Sequence, residues 1–479
     1  MDKAAKNQQG DDGALFYRKI GYQVPLLRAH WGNSSAGAPL LKIGYNRVQC
    51  PVLGSFTGIE DGVKITQLFS PMIPMLPCIT DNQFDVAIAG GGIVGLVLAA
   101  GLRQTGLKIA IIEALPKEQA LTKPQAYAVS LLSGKILAGL GVWESIKDSI
   151  GHFDRIQISD NDYRGIVPFA KEDVNELALG HVAEHPVILQ ALENCLEHCP
   201  HITWFRPAEL LSFTNSENHK QVTLQQGKKK IILQTKLLVA ADGARSRVRS
   251  LASIKTKGWK YWQSCVAFTI HHQAPSNNTA FERFCDTGPM GILPLPGDRA
   301  QIVWTMPHHK AHTLVNLPEA DFIAELRQRI GDRLGEFHLV NGRRLFPVQL
   351  MQSNCYVQPR LALVGDAAHC CHPVGGQGLN LGIRDGAALA QVIATAHGQG
   401  EDWGSLTVLK RYEHWRKPEN WLILGFTDLL DRFFSSHWLP AIALRRFGLE
   451  MLRQVPPAKK FALRLMTGLL GRRPQLATD

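Results

Sequence analysis

The stretch Leu361-Ala362-Leu363-Val364-Gly365-Asp366-Ala367-Ala368-His369-Cys370-Cys371-His372-Pro373-Val374-Gly375-Gly376-Gln377-Gly378-Leu379-Asn380-Leu381-Gly382-Ile383-Arg384-Asp385 opens as a short apolar run, the pattern of a buried strand. Gly365-Asp366 closes that strand, a loop rich in Gly and Pro follows, and a helix is expected to begin near Gly378 or Leu379. Such a crossover aims the unpaired N–H groups of a helix N-terminus at whatever lies in front of it, and that terminus favours negative charge. An anion or an electron-rich ring edge is the natural ligand. Asp366, at the carboxyl end of the strand, can accept hydrogen bonds from a chain of hydroxyls. The glycines can also serve tight turns alone.

Far upstream, Phe84-Asp85-Val86-Ala87-Ile88-Ala89 reads as another buried strand, and Gly90-Gly91-Gly92-Ile93-Val94-Gly95 leads it into a helix over Leu96 to Thr105. Lys108-Ile109-Ala110-Ile111-Ile112-Glu113 is a strand that ends in an acid, about 20 residues after the last motif glycine, the spacing of a dinucleotide site. Gly90 makes the tight turn, Gly92 lets backbone approach a pyrophosphate, and Gly95 lets helix and strand pack closely. Glu113 accepts hydrogen bonds from a ribose. Leu237-Leu238-Val239-Ala240-Ala241 runs into Asp242-Gly243-Ala244-Arg245-Ser246-Arg247-Val248-Arg249. Taken alone, this can be a strand end capped by an Asx turn.

Together these motifs resemble the flavoprotein aromatic hydroxylases of the para-hydroxybenzoate-hydroxylase kind, and within them the ubiquinone-biosynthesis hydroxylase family. Gly365-Asp366 resembles the family's second FAD motif. His372-Pro373-x-Gly375-Gly376-Gln377-Gly378-x-Asn380-x-Gly382-x-x-Asp385 resembles its signature, and Asp242, Gly243, Ser246 and Arg249 stand where its Asp-Gly motif has them. The resemblance runs from about Phe84 to Trp438 and implies FAD. On it, Gly90, Gly91, Gly92, Ile93, Val94, Gly95 and Glu113 hold the adenosine diphosphate half, while Asp242, Gly243 and Arg249 lie near the pyrophosphate. Gly365 and Asp366 belong to the second FAD motif, and Pro373 sits against the isoalloxazine with the backbone of Val374, Gly375, Gly376, Gln377 and Gly378. Gly378, Leu379 and Asn380 present N–H groups to the pyrimidine edge. His369 and His372 fall near the ring, where either relays a proton or makes a structural hydrogen bond. No metal is implied. Two positions depart from the family: Gln125 stands where an arginine usually reaches the cofactor, and Glu184-His185-Pro186 where Asn-Arg is common. There is no second strand–GxGxxG–helix unit, so NAD(P)H is expected to visit the flavin transiently, or a protein electron donor to replace it.

Composition sets the outer bounds. The chain has 479 residues, room for two or three domains, and 45% are apolar, ample for a core. A net charge of +11 suits an anionic partner. With dinucleotide motifs in hand, a phosphate-bearing cofactor or an acidic lipid surface is expected and nucleic acid is not. Nine cysteines, odd in number and scattered, fit free thiols in a reducing compartment. Cys195, His198, Cys199 and His201 lack a second ligand pair at zinc spacing and are expected to pack on a helix. The pair Cys370-Cys371 reads as apolar filler or as a redox pair. No apolar run reaches the about 20 residues a spanning helix needs.

The expected architecture is α/β. A Rossmann-like FAD-binding domain of the GR2 type, residues 81–251 and 359–400, carries an inserted, mostly antiparallel β-sheet substrate domain over 252–358 and a C-terminal helical region over 401–479. Residues 1–80 show no periodicity and are read as a poorly structured extension, with Met72 or Met75 a natural start by comparison with the family. Phe284, Met290, Trp304 and Phe346 either line an apolar pocket or are plain core. From Trp438 to Arg473 the apolar residues keep company with charges that are nearly all basic: Arg445, Arg446, Arg453, Lys459, Lys460, Arg464, Arg472 and Arg473 against Glu450. This fits helices lying on anionic lipid, or equally helices packed on the body with solvated basic residues.

The resemblance implies an FAD-dependent monooxygenase that hydroxylates the aromatic ring of a prenylated phenol-type precursor in quinone biosynthesis, through a flavin C4a-hydroperoxide. Its partners are then a small hydrophobic aromatic substrate, O2 and other quinone-biosynthesis enzymes. Its place is cytoplasmic, peripheral on the inner membrane face. An epoxidase or prenyl reductase on the same fold, and a flavin-binding assembly partner without turnover, stay open as alternatives.

Overall fold

The strands Gln83–Ala89, Ile109–Ile112, Lys229–Ala240 and Leu361–Leu363 carry Val86, Ile88, Ile109, Ile111, Leu237, Val239 and Leu361, all fully buried. Strands apolar on both faces belong in a parallel sheet covered on both sides. In the computed structural model, which describes residues 82–160, 163–285, 287–436 and 438–477, they form that sheet. Its order is Leu361–Leu363, Lys229–Ala240, Gln83–Ala89, Ile109–Ile112 and Ile202–Phe205, all parallel. Val357–Gln358 adds an antiparallel edge, and the strands Glu209–Asn215 and Lys220–Gln226 extend antiparallel from the long strand Lys229–Ala240. The helix Ile93–Leu102 is buried nearly all round because it packs between the helices His185–Glu197 and Gln377–Gly398. The extension expected over residues 1–80 lies outside the described residues.

A second sheet faces the first across the site. Its order is His369–Cys370, Arg344–Ser353, Thr256–His272, Arg299–Pro307, Met290–Pro294, Thr279–Phe284, Arg155–Asp160 and Tyr163–Ala170. It is antiparallel except where Thr279–Phe284 runs parallel to Arg155–Asp160. The boundary expected at residues 251/252 therefore does not separate the sheets: two strands from before it pair into the second sheet. The apolar alternation of Gln263–Phe268 predicts one exposed face, yet both faces are buried. Val266, Phe268, Ile270, Ile302, Trp304 and Met306 lie under the helices His308–Asn316 and Glu319–Ile330.

The chain ends in three helices, Leu406–Phe434, Leu439–Gln454 and Pro456–Met466. Their inner faces join the second sheet through Phe434, Leu449 and Leu463 packed with Val167, Phe169 and Phe284. Their outer faces leave Trp438, Leu439, Leu444, Phe447 and Phe461 exposed. Among the described residues no helix is long and apolar enough to cross a membrane.

Candidate active site

Ligands of parallel α/β sheets lie beyond the carboxyl ends of the strands. Here three adjacent strands end together, and the chain leaves them at Gly90, at Asp242 and at Gly365–Asp366. In front of them is a cavity of about 600 Å³ that runs on between the second sheet and the C-terminal helices. Gly92, Ile93, Val94, Gln125, Gly243, Asp366, Pro373, Gly375, Gly376, Gln377, Gly378, Leu379 and Asn380 line it. The structure thus brings together, on one wall, motif residues drawn from four parts of the chain.

The other motif residues stand behind that wall and shape it. Gly90 has φ +113°, and a Cβ there would meet the Ala241 carbonyl oxygen at 2.2 Å, so the first turn is pressed against the neighbouring strand end. A Cβ on Gly95 would meet the Gly90 carbonyl oxygen at 2.1 Å. Glu113 accepts from the Gly91 N–H at 2.7 Å and from the Leu115 N–H at 2.8 Å, which fixes the glycine turn against the second strand. Asp242 accepts from the N–H groups of Arg247 and Val248 at 2.8 and 3.1 Å, capping a short helix. Arg249 donates to the carbonyls of Ala244 and Ala367, both at 2.8 Å, and so ties the Asp242 loop to the Gly365 loop.

The residues on the wall fit a flavin dinucleotide. Around Gly92 and Gly243 nothing lies within 4 Å of where a Cβ would stand, which leaves backbone open to close approach by a phosphate. Asp242 Oδ1 is a buried acceptor with no hydrogen-bond partner among the described residues. The Asp366 side chain is exposed and lines the cavity. Desolvation there raises its pKa, and His369 opposes that. The helix Gln377–Gly398 points its N-terminus into the same space through Gly375 and Gly376, both left-handed at φ +64° and +61°. The Asn380 side chain is fully used: it donates to the carbonyls of Ala128 and Gly376, both at 2.8 Å, and accepts from the Ser130 N–H at 2.9 Å. Asn380 and its neighbours therefore offer a ligand their backbone N–H groups.

His369 and His372 do not reach the cavity wall. His369 Nε2 meets Asp385 Oδ2 at 2.6 Å, and Asp385 also takes hydrogen bonds from Gly365 N–H, Arg416 and Asn420. Burial alone would raise the Asp385 pKa, but His369 and Arg416 hold it down, to about 2. The carboxylate closing the signature stretch thus anchors the Gly365 turn. His372 Nδ1 accepts from the Val374 N–H at 3.3 Å, which leaves its proton on Nε2 facing Gln263 Oε1 at 3.2 Å. Burial pushes its pKa down to about 4. Both imidazoles are held as structural partners.

Of the four aromatic and methionine candidates, Phe284 and Phe346 line the cavity, whereas Met290 and Trp304 belong to the core under the helices. Phe284 stacks on Phe434 with ring centroids 3.7 Å apart, joining sheet and C-terminal helix beside the cavity. One wall residue carries no motif signal. Glu282 lies on the strand Thr279–Phe284, opposite Gly291, and burial pushes its carboxyl up to about 7, with the Gly375 N–H opposing. Among the described residues no group of three or more His, Cys, Asp or Glu side chains is placed to hold a metal ion.

A family described as "FAD binding domain" matches residues 83–427. Fold and site together define an FAD-dependent monooxygenase. The p-nitrophenol 4-monooxygenase PnpA of Pseudomonas putida has the same fold at TM-score 0.70 and 17% identity, over 82% of this chain and 100% of that one. Anhydrotetracycline hydroxylase OxyS of Streptomyces rimosus follows at TM-score 0.65 and 22% identity, over 82% of this chain and 77% of that one. Sequence relatives are more telling. The chain is 91% identical to an uncharacterized protein of Synechocystis, over 84% of this chain and 97% of that protein. It is 34% identical to ubiquinone hydroxylase UbiL of Rhodospirillum rubrum, over 82% of this chain and 92% of that protein. It is 33% identical to 3-demethoxyubiquinol 3-hydroxylase of Escherichia coli, over 81% of this chain and 100% of that protein. The chain belongs to the ubiquinone-biosynthesis hydroxylase family.

Proposed function

We propose that this protein hydroxylates the aromatic ring of a prenylated phenol in quinone biosynthesis, using FAD, O2 and electrons from NAD(P)H or a protein donor. The observation that carries this reading is the shape of the cavity. It runs from the loop at Pro373–Gly376 past the second sheet and on beneath the C-terminal helices, where Leu430, Phe434, Leu449, Leu463 and Met466 line it. A ring seated at the loop leaves an apolar channel for a prenyl chain.

FAD, when bound, supplies the electron storage and oxygen activation that side chains cannot. The chain's own residues do the rest. Gly92 and Gly243 would leave room for the pyrophosphate, Glu113 would take the adenosine ribose on lone pairs left free by the Gly91 and Leu115 N–H groups, and Asp366 would accept from the hydroxylated chain. Pro373, Gly375 and Gly376 would hold the ring system, and the N–H groups of Gln377, Gly378, Leu379 and Asn380 would supply hydrogen-bond donors to an electron-rich edge of it. Gln125, on the wall, gives a neutral donor and acceptor where the family commonly places a cation. Apolar walls from the sheet and helices exclude water from the reacting atoms.

The C-terminal helices also suit docking on an anionic membrane from the cytoplasmic side, alongside other enzymes of the pathway. Trp438 is 70% exposed, Leu439 77% and Phe447 66%, while Arg453, Lys460 and Arg464 lie at the surface nearby. Arg445 and Lys459 do not belong to that surface, since they pair with Asp160 and Asp173. A helix set that lines the cavity inside and presents apolar side chains outside can pass a lipid-borne substrate inward. The test is turnover: FAD-loaded protein with NADH or NADPH, a geranyl-substituted phenol and air. Hydroxylated ring product is expected. Oxygen found on the prenyl chain would make the protein an epoxidase, and no turnover with either nicotinamide or a supplied protein donor would overturn the reading.

A further inference from the structure

We infer that Glu282 is the catalytic base of the hydroxylation, accepting the proton of the substrate's ring hydroxyl. The inference rests on the function proposed above. Three independent features of position support it.

First, the second sheet meets the cavity with side chains that are otherwise uncharged: Ile156, Ala280, Phe284, Leu293, Val303 and Thr305. Glu282 is the carboxylate among them. A carboxylate on an apolar floor costs free energy unless it is paired or hydrogen-bonded, so its presence there calls for a partner that the ligand would supply. Second, no arginine, lysine or histidine forms an ion pair with it among the described residues. The nearest cation on its own strand, Arg283, donates instead to the Arg329 carbonyl at 2.6 Å. Third, Glu282 spans the gap. It stands in register with Gly291, whose missing side chain leaves the carboxylate lying 3.5 Å from where a Cβ would be. On its other side it faces the Gly375 N–H, in the loop that would hold the flavin ring. A ring between that loop and the sheet brings its hydroxyl to this carboxylate.

The proton step balances within the site. The hydroxyl O–H bond breaks, its electron pair stays on the ring oxygen, and the proton passes to Glu282. The ring carbon is then electron-rich enough to take one oxygen atom of O2 as a hydroxyl group, the O–O bond breaking and the other oxygen leaving as water with the two electrons of the nicotinamide or protein donor. As the ring recovers its aromaticity that carbon loses its hydrogen as a proton, which is consumed in forming that water, and Glu282 returns its proton to the ring oxygen.

Burial pushes Asp431, on the helix Leu406–Phe434, up to about 6, so the Glu282 variants, and not the pH profile alone, assign an inflection near neutrality to Glu282. Around it stand Cys265 from the strand beneath, Cys370 and Cys371 from the strand and loop before Pro373, Asp366, and Tyr127 and His185 across the cavity. Burial pushes the Cys265 and Cys370 thiols up to about 12, and Cys371 and Tyr127 higher still. It raises Asp366 as well, and it pushes His185 down to about 4. The buried Asp160 on the next strand is paired with Arg445 at 2.8 Å.

The test compares FAD-loaded wild type, Glu282→Gln and Glu282→Leu, with flavin content and melting temperature confirming folding. The probes are a geranyl-substituted phenol and its methyl ether. Dissociation constants come from the change in flavin absorbance without reductant, and turnover is followed across pH. Wild type is expected to bind the phenol at least tenfold more tightly than the ether. Its kcat/KM should rise through an inflection near pH 7, as the carboxyl ionises. The leucine variant loses the binding preference. The glutamine variant keeps an acceptor but loses the inflection and about a hundredfold in turnover. Variants that hydroxylate the phenol with unchanged preference and profile would overturn the role of Glu282 and leave the proposed function standing. A wild type that holds FAD yet neither binds nor hydroxylates the phenol would overturn both.

Discussion

Gly90 and Gly92 lie in one turn but answer to different constraints. Gly90 needs its positive φ and would drive a Cβ into the Ala241 carbonyl, whereas Gly92 has φ −78° and free space before it. Gly90→Ala should therefore destabilise the protein by about 2 kcal/mol or more. Gly92→Ala should leave the melting temperature of the apoprotein nearly unchanged yet weaken FAD binding at least tenfold, because the new methyl occupies the phosphate's approach. Thermal melts and FAD titration separate the two. Asp385 gives a pH prediction. Its folded pKa lies below the unfolded carboxylate value of about 4, so its contribution is complete above that value and is lost as pH falls toward 2. Asp385→Asn should remove on the order of 2 kcal/mol at neutral pH and flatten the stability profile between pH 4 and 2. At this scale the glycine and signature motifs were readable because spacing along the chain carries them. The tie between His369 and Asp385 was not, since a histidine sixteen residues from an acid looks the same whether it faces flavin or a buried carboxylate. Glu282 was less readable still: nothing local distinguishes it from the other acids, and only its place across from Gly375 does.

At the scale of elements, the helix Leu439–Gln454 is anchored by Leu449 in the core and by Arg445, which donates to the carbonyls of Phe434 and Ser436, both at 3.1 Å. Arg445 meets Asp160 of the second sheet at 2.8 Å, with the side chains 3% and 2% exposed. Removing one member of a buried ion pair typically costs about 3–5 kcal/mol. Arg445→Met should thus open this helix to limited proteolysis at low denaturant, whereas Arg445→Met with Asp160→Leu should restore much of the protection. Fragment mapping by mass spectrometry would read the difference, and equal cleavage in both would count against the contact as the anchor. The strand Arg155–Asp160 also shows where sequence reading stops. The sequence alone assigns no element there; the strand's partner, Thr279–Phe284, lies more than a hundred residues away, and local periodicity says nothing about register with a distant segment. Four of the five parallel strands were easier, because each ends at a glycine turn or an acid; Ile202–Phe205, which runs into Arg206-Pro207, has neither.

Among the described residues, a wall of cofactor-binding motifs, a sheet floor and a helical roof enclose the cavity, and the roof presents apolar side chains outward. If that face docks on lipid, the protein should sediment with vesicles containing anionic phospholipid and much less with neutral ones, with binding weakened by salt, since each basic residue near such a surface contributes about 1 kcal/mol. Exchanging Trp438, Phe447 and Phe461 for serine should abolish sedimentation while leaving turnover of a short-chain phenol intact. Loss of both together would point to unfolding of the roof. The most direct test of the whole account is hydroxylation under isotopically heavy dioxygen, with FAD-loaded protein, a nicotinamide donor and the geranyl-substituted phenol. A ring-hydroxylated product carrying one heavy oxygen atom from O2 is expected. A protein that holds FAD, accepts electrons and leaves the phenol unlabelled would contradict it.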